Sequence, residues 1–214
     1  MELDIVQKIA IYALPVIFAI TLHEAAHGYV ARHFGDPTAY MLGRVTLNPL
    51  KHIDLVGTIL VPALSLFLGG ILFGWAKPVP VNFNQLRRPK QDMLWVAAAG
   101  PAANLVMILG WAFIMKLAES MPSNPFAVPL RLMSEAGISI NAVLMVLNLV
   151  PLPPLDGGRI AVSLLPRPAA YQLSRVEPYG FIIILVLLMT GWLGRLIGPS
   201  IEGTIRQVFL LFGL

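Results

Sequence analysis

The chain has 214 residues, 57% of them hydrophobic and 12% charged, with no cysteine and a formal net charge of +4. Soluble domains carry about a quarter charged residues, so an apolar excess gathered into long uncharged runs excludes an ordinary soluble enzyme and indicates a membrane protein. The absence of cysteine removes disulfides, thiolate ligands and cysteine nucleophiles. No basic cluster is interleaved with aromatics, so the positive charge is assigned to orienting membrane segments, with no nucleic-acid partner.

The length suits a single domain over 1–214, with a core at 5–160 and C-terminal helices at 178–214. The opening MELDIVQK lacks a basic n-region and a small-residue cleavage site, so the first apolar run reads as a retained helix. Crossing the hydrocarbon core takes roughly 20 apolar residues. The first candidate runs over 5–31 and contains HEAAH. The second, 55–76, is uncharged but interrupted by Pro62 and by Gly69-Gly70. The third covers 93–115, the fourth 136–155 and the fifth 178–194. The tail IEGTIRQVFLLFGL sets Glu202 and Arg206 four apart on a helix face, as a last crossing or an interfacial helix. The expected fold is all-α and polytopic. It is a helical bundle of about 5–6 transmembrane helices, with a re-entrant or extended segment between the first helix and the one carrying GPAANL.

Basic residues test the path. Arg32, Arg44 and Lys51 follow the first segment, Lys77, Arg87, Arg88 and Lys90 the second, and Arg159, Arg167 and Arg175 the fourth. A simple crossing by the second segment would put the first two basic loops on opposite sides, against the positive-inside tendency. The chain is therefore expected to return at 55–76 or through GWAKPVPVNF as an extended strand shielded by other helices. This places the N-terminus outside, with the first, third, fourth and fifth segments crossing the plasma membrane.

HEAAH carries chemistry that hydrocarbon should not hold. At ~100° per residue, His23 and His27 lie within about 40° on one helical face, one turn apart, where two imidazoles reach one metal ion. Glu24 is rotated off that line and can address a water without being a ligand, the zincin arrangement of two histidines and a general base. Ionisable groups in membrane segments are costly and face a cavity or one another. A third ligand is wanted. His33 reads as a surface residue and His52 as a weaker candidate, while Glu119, Glu135, Glu177 and Glu202 sit at helix ends or in the tail. Asp156 follows the apolar run in NLVPLPPLDGGR, where Pro151, Pro153 and Pro154 break the helix. Gly157 and Gly158 are expected to let the chain turn there. The matching depth points to Asp156 as the ligand.

These residues together resemble the site-2 protease family of intramembrane zinc metalloproteases, in its compact prokaryotic form without an inserted PDZ or CBS domain. The likeness runs through HEAAHGYVARHFGDPTA, GRVTLNPLKHIDLVGTILVP, GWAKPVPVN, GPAANL and NLVPLPPLDGG. It implies that His23, His27 and Asp156 hold one Zn2+ per chain, that Glu24 is the general base, and that Asn148 helps to hold the substrate or its oxyanion. Asn148 is also a polar side chain two turns before Asp156 in an apolar helix, and Asn104 is expected to bond a neighbouring helix. The implied activity is hydrolysis of transmembrane-helix substrates, with a single-pass membrane protein and the lipid bilayer as partners and the site towards the cytoplasm. Homo-oligomerisation is left open. A metal-binding transporter or non-proteolytic scaffold is the alternative, but it has no need of Glu24 beside His23.

Overall fold

The computed structural model describes residues 4–52, 54 and 77–214. The second apolar stretch, 55–76, lies outside the described residues. Among those described there are helices and turns and no strand. Helix α1 spans Ile5–His33 and is opened by a capping box. The Asp4 carboxylate accepts from the Gln7 N–H at 2.8 Å, and the Gln7 side chain accepts from the Asp4 N–H at 3.0 Å. A four-residue α2, Thr38–Met41, and a single 3-10 turn at Pro49–Lys51 follow. After a second 3-10 turn at Phe83–Gln85 come α3, Pro89–Glu119, and α4, Ala127–Asn148. The chain ends with α5, Asp156–Leu164, α6, Arg167–Ser174, α7, Glu177–Met189, and α8, Trp192–Phe212.

Among the described residues, three helices, α1, α3 and α4, are long and apolar enough to cross a membrane, and a fourth crossing arises if α6 and α7, bent by 61°, act as one span. Their outer faces carry large exposed apolar side chains, including Ile17, Phe18, Val106, Phe113 and Ile182. In water such a surface would be an aggregation hazard, whereas lipid accepts it. The chain is a membrane protein.

Helix α3 is the centre of the bundle and packs against α4, α1 and α5. Ile108, Ala112 and Met115 of α3 meet Ile138, Ala142 and Met145 of α4 and Val208 of α8 in the main apolar cluster. A second cluster joins Ile184 of α7 to Leu193 and Ile197 of α8.

Two segments differ from the sequence reading at their ends. The fourth begins nine residues earlier, because Arg131 and Glu135 pair across one turn at 3.6 Å instead of ending the helix. It stops at Asn148, since the prolines that follow disfavour helical geometry in the residues before them. The fifth breaks at Gly191, whose φ of +74° suits glycine, and the tail continues as α8.

In GWAKPVPVNF, the stretch from Lys77 to Asn82 forms neither helix nor strand. Two of its amides are taken by carboxylates in and just after α1. Glu24 Oε2 accepts from the Val79 N–H and Asp36 Oδ2 from the Asn82 N–H, both at 2.7 Å.

The three basic loops meet at one end of the bundle. The Arg87 N–H donates to the Phe34 carbonyl at 3.0 Å and the Lys77 N–H to that of His52 at 2.9 Å. Lys90 Nζ donates to the Leu165 carbonyl, and the Arg159 guanidinium lies 4.8 Å from the Phe83 ring centre.

Candidate metal centre

Helix α1 presents His23 and His27 inward from one face, 7% and 9% exposed, with their Nε2 atoms 3.2 Å apart. The Asp156 carboxylate comes from the first turn of α5. Its Oδ2 lies 3.3 Å from His23 Nε2 and 3.4 Å from His27 Nε2. The sequence-predicted trio therefore converges.

The local chain explains how Asp156 arrives. A Cβ on Gly157 would collide with the Leu149 and Val150 backbone, and one on Gly158 with Leu152 and Pro153. Both glycines are helical. Their role is close approach, not the turn expected from sequence: only hydrogen side chains let α5 start directly against the stop that ends α4. Gly180 of α7 lies against the Pro153 carbonyl and closes the other side of that stop.

Helix α3 supplies the wall behind the imidazoles. Val96, Gly100 and Asn104 recur every four residues and so share a face. The Val96 carbonyl accepts from His27 Nδ1 at 2.7 Å, and Asn104 Oδ1 accepts from His23 Nδ1 at 2.6 Å. Between them, a Cβ on Gly100 would stand 2.5 Å from both His23 Cε1 and His27 Nε2. Glycine is required there.

These hydrogen bonds decide the electrostatics. A carbonyl oxygen only accepts, so each Nδ1 carries a proton, and in its neutral form each ring turns an Nε2 lone pair inward. Asp156 Oδ2 is buried and has no hydrogen-bond partner. Three electron pairs thus point at one spot in a dry interior, an arrangement that needs a positive charge at its centre. Separations of 3.2–3.4 Å are long for charge-assisted hydrogen bonds, which cluster near 2.7–2.9 Å. They match the edges of a tetrahedron around an ion with ligands at about 2.0–2.1 Å, roughly 3.3 Å. Two imidazole nitrogens and one carboxylate oxygen are a zinc donor set, and the Nδ1 partners are the orienting contacts that ligating histidines make. The residues fit the metal.

Glu24, half-buried beside the trio, is held by the Val79 amide. Asn148 is the last residue of α4. Its Nδ2 donates to the Leu144 carbonyl at 3.0 Å, and no hydrogen bond or ion pair among the described residues joins it to His23, Glu24, His27 or Asp156. His33 is exposed, edge-on to Phe34. His52 is buried away from the cluster, with Nε2 on the Thr46 carbonyl at 3.0 Å. Glu119, Glu135 and Glu177 sit in surface ion pairs with Lys116, Arg131 and Arg159.

Sequence reasoning missed Asp36 and the Val79 amide, since the anchoring of a loop by backbone N–H groups leaves no side-chain pattern. It also missed Asn141, fully buried on α4. An amide inside the apolar run ISINAVL was a readable signal.

Fold and site together define a membrane helical bundle with a buried two-histidine, one-carboxylate cluster able to hold a metal ion. Over 202 residues, 93% of this chain and 89% of the relative, it is 38% identical to a Bacillus subtilis (strain 168) protein named "Putative zinc metalloprotease YwhC". It is 33% identical over 181 residues to "Putative zinc metalloprotease Rip2" of Mycolicibacterium smegmatis, covering 84% of this chain and 66% of that one. The Mycobacterium tuberculosis (strain H37Rv) protein of the same name is 29% identical over 185 residues, covering 82% and 67%. No family model and no solved structure matches the chain. The chain belongs to the family of zinc metalloproteases that these relatives represent.

Proposed function

We propose that the protein is an intramembrane endopeptidase of the site-2 type, hydrolysing peptide bonds in the transmembrane helix of single-pass membrane proteins. The observation that carries this reading is the meeting of His23 Nε2, His27 Nε2 and Asp156 Oδ2 within 3.2–3.4 Å, inside helices suited to lipid. In the proposed assignment these three atoms hold one zinc ion per chain. Zinc held there supplies Lewis acidity to a scissile carbonyl and an acidified water for attack.

The chain's own groups do the rest. Val79 occupies Oε2 of Glu24, which leaves Oε1 to take a proton from the attacking water and return it to the leaving amine. The Nδ1 proton of each imidazole is committed to a carbonyl oxygen, which directs Nε2 towards the proposed metal position. Asn148, half-buried at the end of α4, is assigned to holding the substrate strand.

His23 lies ten residues before the basic end of α1, about 15 Å along the axis at 1.5 Å per residue. We assign that end to the cytoplasm, because three basic loops gather there. The protein is then a multi-pass plasma-membrane protease whose site opens from the cytoplasmic half. The whole chain acts as one proteolytic domain.

The test is Glu24→Gln in purified protein given a model single-pass helix. Cleavage should fall at least ~100-fold with zinc still bound one to one. A variant that cleaves like the wild type, or a wild-type protein without zinc, ends this reading.

A further inference from the structure

The buried amides of Asn104 and Asn141 form a one-way chain. Asn141 Nδ2 donates to the Gly137 carbonyl at 2.8 Å, Asn104 Nδ2 donates to Asn141 Oδ1 at 2.9 Å, and Asn104 Oδ1 faces His23 Nδ1 at 2.6 Å. Both asparagines are fully buried, so water cannot replace a lost partner.

The direction of this chain is forced from its far end. The Gly137 carbonyl belongs to the α4 backbone and can only accept. Asn141 must therefore turn its NH2 towards Gly137 and its oxygen towards Asn104. Asn104 in turn must donate to Asn141 and present its own oxygen to His23. An oxygen there requires a proton on Nδ1 of His23. The opposite ring tautomer would set a lone pair against Asn104 Oδ1 and block Nε2 as a ligand.

We propose that Asn141 and Asn104 are positioning residues, through which the Gly137 carbonyl fixes the orientation and tautomer of His23 as a metal ligand. The inference rests on the zinc assignment above and adds to it a determinant two residues removed from the ion. The two histidines are held differently. His27 takes its partner directly from the Val96 backbone carbonyl, which cannot rotate, while His23 depends on side chains that can. The amide chain restores to His23 the fixed polarity that a backbone group gives His27. It also makes the His23 ligand sensitive to the packing of α3 on α4.

The experiment measures zinc affinity by chelator competition in detergent-solubilised full-length protein, with the absorption spectrum of the cobalt-substituted form. Asn104→Leu, close in size, should weaken zinc roughly 10- to 100-fold, the range for loss of a ligand's orienting contact. Asn141→Leu should weaken it about tenfold and alter the cobalt spectrum, although residue 141 touches no ligand. The double variant should be no weaker than Asn104→Leu alone, because the two amides act as one unit. Asn141→Asp should keep wild-type affinity, since a neutral carboxylic acid donates to Gly137 and accepts from Asn104 in the same sense. If Asn141→Leu does not accumulate as folded protein, Asn141→Ala carries the same expectation.

A purely packing role would lower the thermal midpoint and leave zinc affinity and the cobalt spectrum unchanged. That result in Asn141→Leu or Asn141→Ala overturns the proposal, as do losses that multiply in the double variant. A wild-type protein that binds no zinc overturns the metal assignment itself and this inference with it. Wild-type binding with an indifferent Asn141 overturns this inference alone.

Discussion

The backbone N–H of Val79 donates to Oε2 of Glu24 across 2.7 Å, so the loop from Lys77 to Asn82 is tied to the same turn of α1 that carries His23. Val79 itself is buried, and its Cγ1 would stand 3.1 Å from a Cβ on Gly28. Loop and helix approach closely because that position has no side chain. This contact separates two roles for the loop, positioning the carboxylate or pairing with substrate.

Val79→Pro deletes the donor, and Val81→Pro leaves it in place. A hydrogen bond to a charged group contributes about 1.5–3 kcal/mol. Cleavage by Val79→Pro should therefore fall roughly ten- to a hundredfold with zinc retained. Val81→Pro should do distinctly less. Equal losses in a peptide-cleavage assay would assign the loop to strand pairing with substrate instead.

Gly100 and Gly110 lie on the same helix and make a matched pair. A methyl group at 100 would press on both imidazoles, whereas at 110 nothing lies within 4 Å. Gly100→Ala should lose zinc at concentrations that saturate the wild type. Gly110→Ala should bind it normally and be neutral or up to about 1 kcal/mol more stable. Zinc content after gel filtration distinguishes them.

Asp36 is fully buried and accepts from the Thr38 N–H at 2.9 Å, the Thr38 hydroxyl, and the Asn82 N–H. Asp36→Ala leaves these donors unpaired and should cost about 3 kcal/mol. The thermal midpoint in detergent reports this. An unchanged midpoint would mean the loop is held by other contacts.

Zinc should stabilise the fold as well as serve the reaction. A ligand at a thousand times its Kd adds about 4 kcal/mol, so chelation should lower the wild-type midpoint. In Asp156→Ala added zinc should no longer raise it. A zinc-dependent rise that survives this substitution would place the ion elsewhere.

Much of the site is legible in the sequence because helical periodicity is a geometric rule. HEAAH fixes two imidazoles on one face wherever the helix lies, and the Pro-rich break in NLVPLPPLDGG marks where a carboxylate could leave its helix at matching depth. The contributions of Val96 and Gly100 are not legible in that way. One acts through a carbonyl that every residue possesses, the other through a side chain it lacks. Gly157 and Gly158 suggest a turn in sequence, whereas in space they serve contact between backbones. The end of α4 is hard to place because an uncharged run does not say where a proline's influence on its predecessors begins.

The stop that ends α4 has a consequence for biosynthesis. It postpones Asp156 until after α1, α3 and α4 have been threaded, so a nascent chain holds two imidazoles long before it holds the third donor. Under the proposed assignment, a ribosome that has translated only the first 150 residues has made no hydrolase. Under that assignment the three-donor site is complete only when the segment after α4 has been made and has docked against α1.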